Sequence, residues 1–321
     1  MHILVTGSAG FIGHHVSRSL LSAGHQVTGL DNFNDYYAVQ LKRDRHAIIA
    51  GLPGFTGVEM DLCNADGINT LFQTQRFDAV CNLAAQAGVR YSLTHPHVYE
   101  QSNLQGFLNI LEACRHARVP RLVYASSSSV YGGNTKLPFS ESDPVDRPIS
   151  LYAATKRANE LMAHTYTHLF GLQTVGLRFF TVYGPWGRPD MAMWLFADAM
   201  LKGRPIQVFN HGNMQRDFTF VEDIVSGVIA SLTVPTLDPY EVINLGNHRS
   251  EPLMDVIRIL ADALKIKPRL EMAPMQPGDV PATYADIDRA RRKLGFNPQT
   301  PVSEGIPRFV AWYRDYHRLP G

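Results

Sequence analysis

His2-Ile3-Leu4-Val5-Thr6-Gly7-Ser8-Ala9-Gly10-Phe11-Ile12-Gly13 decides the fold of this chain. An apolar run of strand length ends at a Gly-x-x-Gly-x-x-Gly turn that opens a helix reaching about Ala23. Gly24 stops that helix, and Gln26-Val27-Thr28-Gly29-Leu30 forms a second strand ending at Asp31. Strand, glycine turn, helix, strand and a terminal acid make a βαβ unit that suits a dinucleotide. The glycines allow a tight turn and let a pyrophosphate approach the helix N-terminus. The carboxylate of Asp31 suits the ribose hydroxyls of NAD and repels the 2′-phosphate of NADP.

The unit repeats downstream. Helical patterns are expected over Tyr36–Ala50, Ala65–Gln75 and Val98–Arg118. Strands are expected over Phe55–Met60, Phe77–Asn82, Arg121–Ala125 and Thr174–Phe180. Such alternation implies an α/β fold with a Rossmann-type doubly wound parallel sheet. After Thr181-Val182-Tyr183-Gly184-Pro185, a helix is expected from Trp186 to about Lys202, and then the alternation breaks. The remainder reads as a smaller C-terminal substrate-binding lobe, richer in proline. The expected division is a cofactor-binding part over 1–180, with contributions from about 213–245, and a mainly substrate-binding part over 181–321.

Composition excludes several classes. The formal net charge is +1 across 321 residues, so no global field argues for nucleic acid or a membrane surface. No signal peptide and no apolar run of ~18 residues is visible. Three scattered cysteines (Cys63, Cys81, Cys114) argue against a disulfide framework or a zinc site and fit a cytoplasmic, reducing location. His164 and His168 are four apart, but the glutamate of a His-Glu-x-x-His metal motif is missing, since Thr165 follows His164.

The chemistry rests on Tyr152-Ala153-Ala154-Thr155-Lys156, downstream of the four serines Ser126 to Ser129. Residues four apart share a helix face, so Tyr152 and Lys156 can aim at one site. A phenol titrates near pH ~10; a nearby ammonium lowers that value and yields an acid/base for a hydroxyl proton. Ligands of doubly wound sheets bind beyond the carboxyl ends of the strands, where the serines are expected. Asp61 follows the third strand, where two readings stay open: a partner for the adenine amino group, or a solvated loop residue.

Gly7-x-x-Gly10-x-x-Gly13, Asp31, Asp61-Leu62, Ala84-Ala85, Ser126–Ser129-Val130-Tyr131-Gly132 and Tyr152-x-x-x-Lys156 together resemble the extended short-chain dehydrogenase/reductase family, over essentially the whole chain. Longer segments are similar to the UDP-glucuronate 4-epimerases within it: 85–92, 177–191 and 276–286. The resemblance implies bound NAD, a UDP-sugar substrate (UDP-glucuronate or UDP-galacturonate) and a homodimer built on the Tyr152 helix and the long helix from Val98. It implies catalytic roles for Ser127, Tyr152 and Lys156. The cofactor contacts it implies are Gly7, Gly10, Phe11, Ile12, Gly13, Asp31, Asn32, Asp61, Leu62, Leu83, Ala84, Ala85 and Asn103, with Tyr152 and Lys156. On the substrate side it implies Arg90, Ser128, Ser129, Thr181, Arg188, Gln207, Phe209, Arg216 and Asp279. Related epimerases carry an arginine near the diphosphate where this chain has Gln276, which leaves Arg216 as the diphosphate ligand.

A glucuronate substrate adds a hazard, because oxidation at C4 puts a ketone β to the C6 carboxylate. Arg188, Ser128, Ser129 and Thr181 are candidates to hold that carboxylate; the plainer reading of Arg188 is a helix-start residue paired with Asp190. Competing functions are a UDP-glucuronate decarboxylase, a 4,6-dehydratase, a UDP-glucose/UDP-galactose 4-epimerase and a non-catalytic nucleotide sensor. Ser128-Ser129 stand where the resembled dehydratases carry an acid pair. A silent sensor has no need of the Tyr152–Lys156 pair that this chain keeps.

Overall fold

A computed structural model describes residues 1–276 and 278–319 of the chain. Pro277, inside one of the segments that carry the family resemblance, lies outside the described residues. In order, the first half runs β1 (His2–Thr6), α1 (Phe11–Ser22), β2 (Gln26–Asp31), α2 (Val39–Ala50), β3 (Phe55–Glu59), α3 (Ala65–Thr74) and β4 (Ala79–Asn82). Two short helices, α4 (Tyr91–Thr94) and α5 (Pro96–Tyr99), lead through a π-helical turn at Glu100–Gln105 into α6 (Gly106–Ala117). Then come β5 (Arg121–Ser127), α7 (Leu151–Phe170), β6 (Gln173–Phe179) and β7 (Thr181–Tyr183). The second half has α8 (Ala192–Leu201), β8 (Ile206–Val208), β9 (Gln215–Arg216), β10 (Phe218–Phe220), α9 (Val221–Thr233), β11 (Tyr240–Leu245), β12 (Glu251–Pro252), α10 (Leu253–Leu264), β13 (Leu270–Met272), α11 (Asp288–Leu294) and α12 (Val302–Tyr316).

Seven strands form one all-parallel sheet in the order β11-β6-β5-β4-β1-β2-β3. Helices on both faces require strands apolar on both sides, and Ile3, Leu4 and Val5 are each fully buried. The strand order reverses between β1 and β4, and a crevice opens there beyond the strand ends. The late strand β11 rejoins this sheet beside β6, so the chain returns to its first half after the break in alternation.

Helix α7 carries the Tyr-Lys pair and is pinned three ways. Ser150 caps it by accepting from the Ala153 N–H at 3.1 Å. It stops at Gly171, whose φ of 70° is the left-handed conformation that glycine takes freely. A buried ion pair fastens it to the sheet: Arg178 on β6 donates to both Glu160 oxygens at 2.8 and 2.9 Å. Ser126 and Arg157 also donate to Glu160. Burial by itself would raise the Glu160 carboxyl, but these partners hold it below the usual carboxylate range.

Three expected elements differ, each for a local reason. The helix expected from Tyr36 starts at Val39, because Asn32 and Asn34 turn their side-chain oxygens onto the N–H groups of Asn34 and Tyr36. Such turns compete with helix. The long helix expected from Val98 is interrupted by the π-helical turn at 100–105. The helix expected from Trp186 starts at Ala192; residues 184–191 form a loop in which Trp186 takes a φ of 60°.

Glu160→Gln leaves the Arg178 charge buried and unpaired. It is expected to cost about 3 kcal/mol of stability at neutral pH, measured by denaturant unfolding. A carboxylate with a depressed folded pKa contributes stability above its unfolded pKa and loses it as pH falls through the folded value. The difference between the two proteins should therefore shrink in acid. A neutral-pH difference below about 1 kcal/mol would contradict the pinning role.

Candidate active site

A cleft of about 1420 Å³ follows the sheet's switch point and continues into the C-terminal part. Its first wall is the glycine turn. Gly7 has φ +68°, and a Cβ there would sit 2.8 Å from the Ala84 nitrogen. A Cβ on Gly13 would come 2.0 Å from the Gly7 carbonyl oxygen. No side chain caps the N-terminus of α1, so its first N–H groups are free to meet an anion. Asp31 ends β2, where Oδ2 accepts from the Ala9 N–H at 3.0 Å and Oδ1 from the Phe33 N–H at 2.9 Å. These residues fit a dinucleotide: the turn has no room for side chains, and the acid at the strand end is braced by backbone.

Of the residues expected at the cofactor, Gly7, Gly10, Phe11, Ile12, Gly13, Asp31, Asn32, Asp61, Leu62, Leu83, Ala84 and Ala85 all line the cleft. Asp61 accepts from Asn32 at 2.7 Å and from the Cys63 N–H at 2.8 Å, which fixes the rim beside it. Asn103 is the exception. Its side chain is buried and its amide is consumed internally. Oδ1 accepts from the Gln86 N–H, while Nδ2 donates to the Gln86 carbonyl and to Thr155 Oγ1. The π-helical turn aims Asn103 at the Gln86 backbone and at α7, behind the cleft lining.

Ser127, Tyr152 and Lys156 meet on the opposite wall. The serines divide their work. Ser126 is spent on Glu160 at 2.7 Å. Ser127 faces the cleft and donates to Ser129 Oγ at 3.1 Å, and Ser128 and Ser129 line the cleft as well. Burial raises the Tyr152 phenol, and the neighbouring Ser127 hydroxyl and then the Arg188 charge act against it. Burial lowers Lys156 to about 8, and its Nζ donates to the Ala125 carbonyl at 2.9 Å. Beside the lysine expected to tune the phenol, Ser127 and Arg188 also favour its ionised form.

The substrate-side residues gather in the same cleft: Arg90, Thr181, Arg188, Gln207, Phe209, Arg216 and Asp279, with Ser128 and Ser129. Arg90 lies over the Phe209 ring at 4.5 Å and pairs with Asp279 at 3.0 Å. Arg216 is anchored on the Gln215 and Pro281 carbonyls. Arg188 is not at a helix start; it sits in the 184–191 loop and pairs with Asp190, as the plainer reading had it, yet it also lines the cleft.

Sequence reasoning missed what holds that loop. Arg45 on α2 is fully buried. Its guanidinium donates to the carbonyls of Ala9, Trp186 and Gly187 and to Tyr37 Oη, at 2.7 to 3.2 Å. His15 on α1 bonds the Pro185 carbonyl at 2.9 Å. Lys42 was also missed. It lines the cleft, bonds the Asn34 carbonyl at 2.6 Å, and is lowered to about 8 by burial. Among the described residues no group of three His, Cys, Asp or Glu could hold a metal ion. No described helix is long and apolar enough to cross a membrane.

The profile of the NAD dependent epimerase/dehydratase family matches residues 3–246. An uncharacterized 37.6 kDa protein in the cld 5′ region of Escherichia coli O111:H- is 52% identical, over 99% of this chain and 100% of that protein. UDP-glucuronate 4-epimerase 4 of Arabidopsis thaliana is 48% identical, over 98% of this chain and 76% of that protein. Among solved structures, UDP-glucuronic acid 4-epimerase from Bacillus cereus, in complex with UDP-glucuronic acid and NAD, superposes with a TM-score of 0.93 at 33% identity, covering 98% of this chain and 100% of that one.

Lys156 yields a prediction about stability. Its folded pKa of about 8 lies below the ~10.4 of an exposed lysine. The buried charge therefore costs stability at pH 7, on the order of 2–3 kcal/mol. The cost falls as pH rises between those two values. Lys156→Met should melt higher than wild type at pH 7, with a smaller gap at pH 9.5, while losing activity. Equal or lower melting at pH 7 would contradict the strained lysine.

Proposed function

This chain belongs to the NAD dependent epimerase/dehydratase family, and from that premise we propose that it interconverts UDP-glucuronate and UDP-galacturonate by NAD-dependent epimerisation at C4. The observation that carries this reading is the meeting of Ser127, Tyr152 and Lys156 with Arg188, Ser128, Ser129 and Thr181 in one cleft beyond a glycine turn. The first three suit proton traffic at a sugar hydroxyl, and the others suit a carboxylate. The Bacillus cereus relative, whose complex holds UDP-glucuronic acid and NAD, supports the same pairing of ligands.

NAD would lie along Gly7, Gly10 and Gly13, its ribose toward Asp31, and when bound it supplies a hydride acceptor that can return the hydride to the same carbon. The protein's part is proton transfer and positioning. Tyr152 takes the proton of the 4-hydroxyl and gives it back on the other face, as a general base and then acid. Ser127 donates to the oxygen at C4 and orients it. Lys156 stabilises the phenolate electrostatically once its ammonium turns from the Ala125 carbonyl toward the site. The 4-keto sugar must turn over in place. Arg216, Gln207, Phe209, Asp279 and Arg90 hold the UDP end while it does so. No net redox change results, so the cofactor stays bound between turnovers.

The uronate demands more than a neutral hexose. A β-keto acid loses carbon dioxide when the bond to its carboxylate aligns with the ketone π system. A guanidinium grips a carboxylate through a fixed fork, and Arg188 with Ser128, Ser129 and Thr181 would keep the C5–C6 bond out of that alignment. The division of labour at about residue 180 belongs to this reading, as does a cytoplasmic location. So does a homodimer through α6 and α7, whose Leu108, Leu161, Leu169 and Phe170 are exposed.

Two experiments test these points. Purified protein given UDP-glucuronate without added cofactor should form UDP-galacturonate, and Tyr152→Phe should lose about 10²- to 10⁴-fold of that rate while retaining NAD. UDP-xylose or a 4-keto pentose as the main product would replace the epimerase with a decarboxylase. Leu108→Glu combined with Leu161→Glu should halve the solution mass measured by light scattering. A wild-type mass of one chain would remove the dimer.

A further inference from the structure

Arg188 does not stand alone in the cleft. Its Nε donates to Asp190 Oδ1 at 3.0 Å and its Nη2 to Oδ2 at 2.5 Å. Tyr36 donates its hydroxyl to the same Oδ2 at 2.9 Å. Tyr36 arrives from the Asn-turned loop after β2, and its ring packs against Tyr91 with centroids 4.7 Å apart. Gly88 leaves room for that hydroxyl: a Cβ there would lie 2.7 Å from the tyrosine oxygen. Burial alone would raise Asp190, yet Arg188 and Tyr36 keep it below the usual carboxylate range. Asp190 and the tyrosine in turn favour the guanidinium charge against its own burial.

The pairing uses one edge of the guanidinium, Nε and one Nη2 hydrogen. The end-on fork, Nη1 with the other Nη2 hydrogen, remains for an incoming anion. Behind the side chain the loop is fixed as well, through Arg45 on the Trp186 and Gly187 carbonyls and His15 on that of Pro185. We propose that Asp190, braced by Tyr36, is the positioning residue that holds the end-on fork of Arg188 on the C6 carboxylate, and so decides between epimerisation and loss of carbon dioxide.

This inference rests on the uronate reading above. If C4 is a ketone and the carboxylate rotates into line, the C5–C6 bond breaks. Its electron pair passes toward the C4 carbonyl as an enolate, carbon dioxide leaves, and C5 takes a proton. The product is a UDP-4-keto-pentose, with the reducing equivalents of the C4 oxidation left on the enzyme-bound dinucleotide. A guanidinium free on both edges can follow a rotating carboxylate into that alignment. One clamped along its other edge cannot.

The test is UDP-glucuronate labelled with carbon-13 at C6, given to wild type, Asp190→Asn, Tyr36→Phe and Asp190→Glu holoenzymes of matched NAD content. Wild type should form labelled UDP-galacturonate without labelled carbon dioxide. Asp190→Asn should raise KM about ten- to a hundredfold, release labelled carbon dioxide with UDP-4-keto-pentose, and leave the bound dinucleotide reduced in equal amount. Tyr36→Phe should move the same way by less, and Asp190→Glu should recover part of the wild-type partition. Folded Asp190→Asn that slows without releasing carbon dioxide, or that keeps the wild-type KM and partition, overturns the proposal. If that variant does not fold, Tyr36→Phe decides by the same criteria. Wild type inactive on UDP-glucuronate would refute the uronate reading instead.

Discussion

A guanidinium with no water around it must find oxygens, and Arg45 finds four. They belong to the glycine turn, to Tyr37, and to the carbonyls of Trp186 and Gly187. Removing one partner of a buried charge is strongly destabilising, so these elements cannot separate cheaply. The turn that suits a pyrophosphate and the loop that bears Arg188 thus form one body. The neighbouring histidines do not add to the charge. Burial lowers His14 to about 3 and His15 to about 4, so both are neutral donors at physiological pH.

The same rule governs the other wall. Glu160 and Arg178 satisfy each other at the junction of α7 and β6, and Ser126 is consumed in doing so. Ser127 instead faces the cleft beside Tyr152, bonded to Ser129. Lys156 is the contrasting case, a buried ammonium whose hydrogen-bond partner among the described residues is the Ala125 carbonyl. The buried Glu160–Arg178 pair is matched charge for charge, whereas Lys156 meets a carbonyl dipole instead of a carboxylate. The proposed role of Lys156 draws on that difference, since no carboxylate neutralises its ammonium.

Features that depend on neighbours in sequence were legible. The glycine turn, Asp31 at a strand end and the four-residue spacing of Tyr152 and Lys156 are local, and each falls where its spacing implied. Features that depend on distant pairing were not. Arg45 reads as one more helix-surface arginine until Trp186, 141 positions away, comes into view. Tyr36 reads as the start of a helix until the asparagine turns before it are seen. The family resemblance puts Asn103 at the cofactor, but a π-helical turn directs its amide to Gln86 and Thr155. Arg188 lines the cleft but sits in a loop and not in the expected helix, because a left-handed Trp186 delays that helix to Ala192.

In the proposed reaction, chemistry happens at C4 and nowhere else on the sugar, inside a site that does not exchange with water. UDP-glucuronate carrying deuterium at C4 measures this directly. The account predicts UDP-galacturonate that retains the deuterium at C4 and, in ordinary water, gains no solvent hydrogen there. Loss of the label to solvent, or solvent deuterium incorporated at C5 in heavy water, would contradict it.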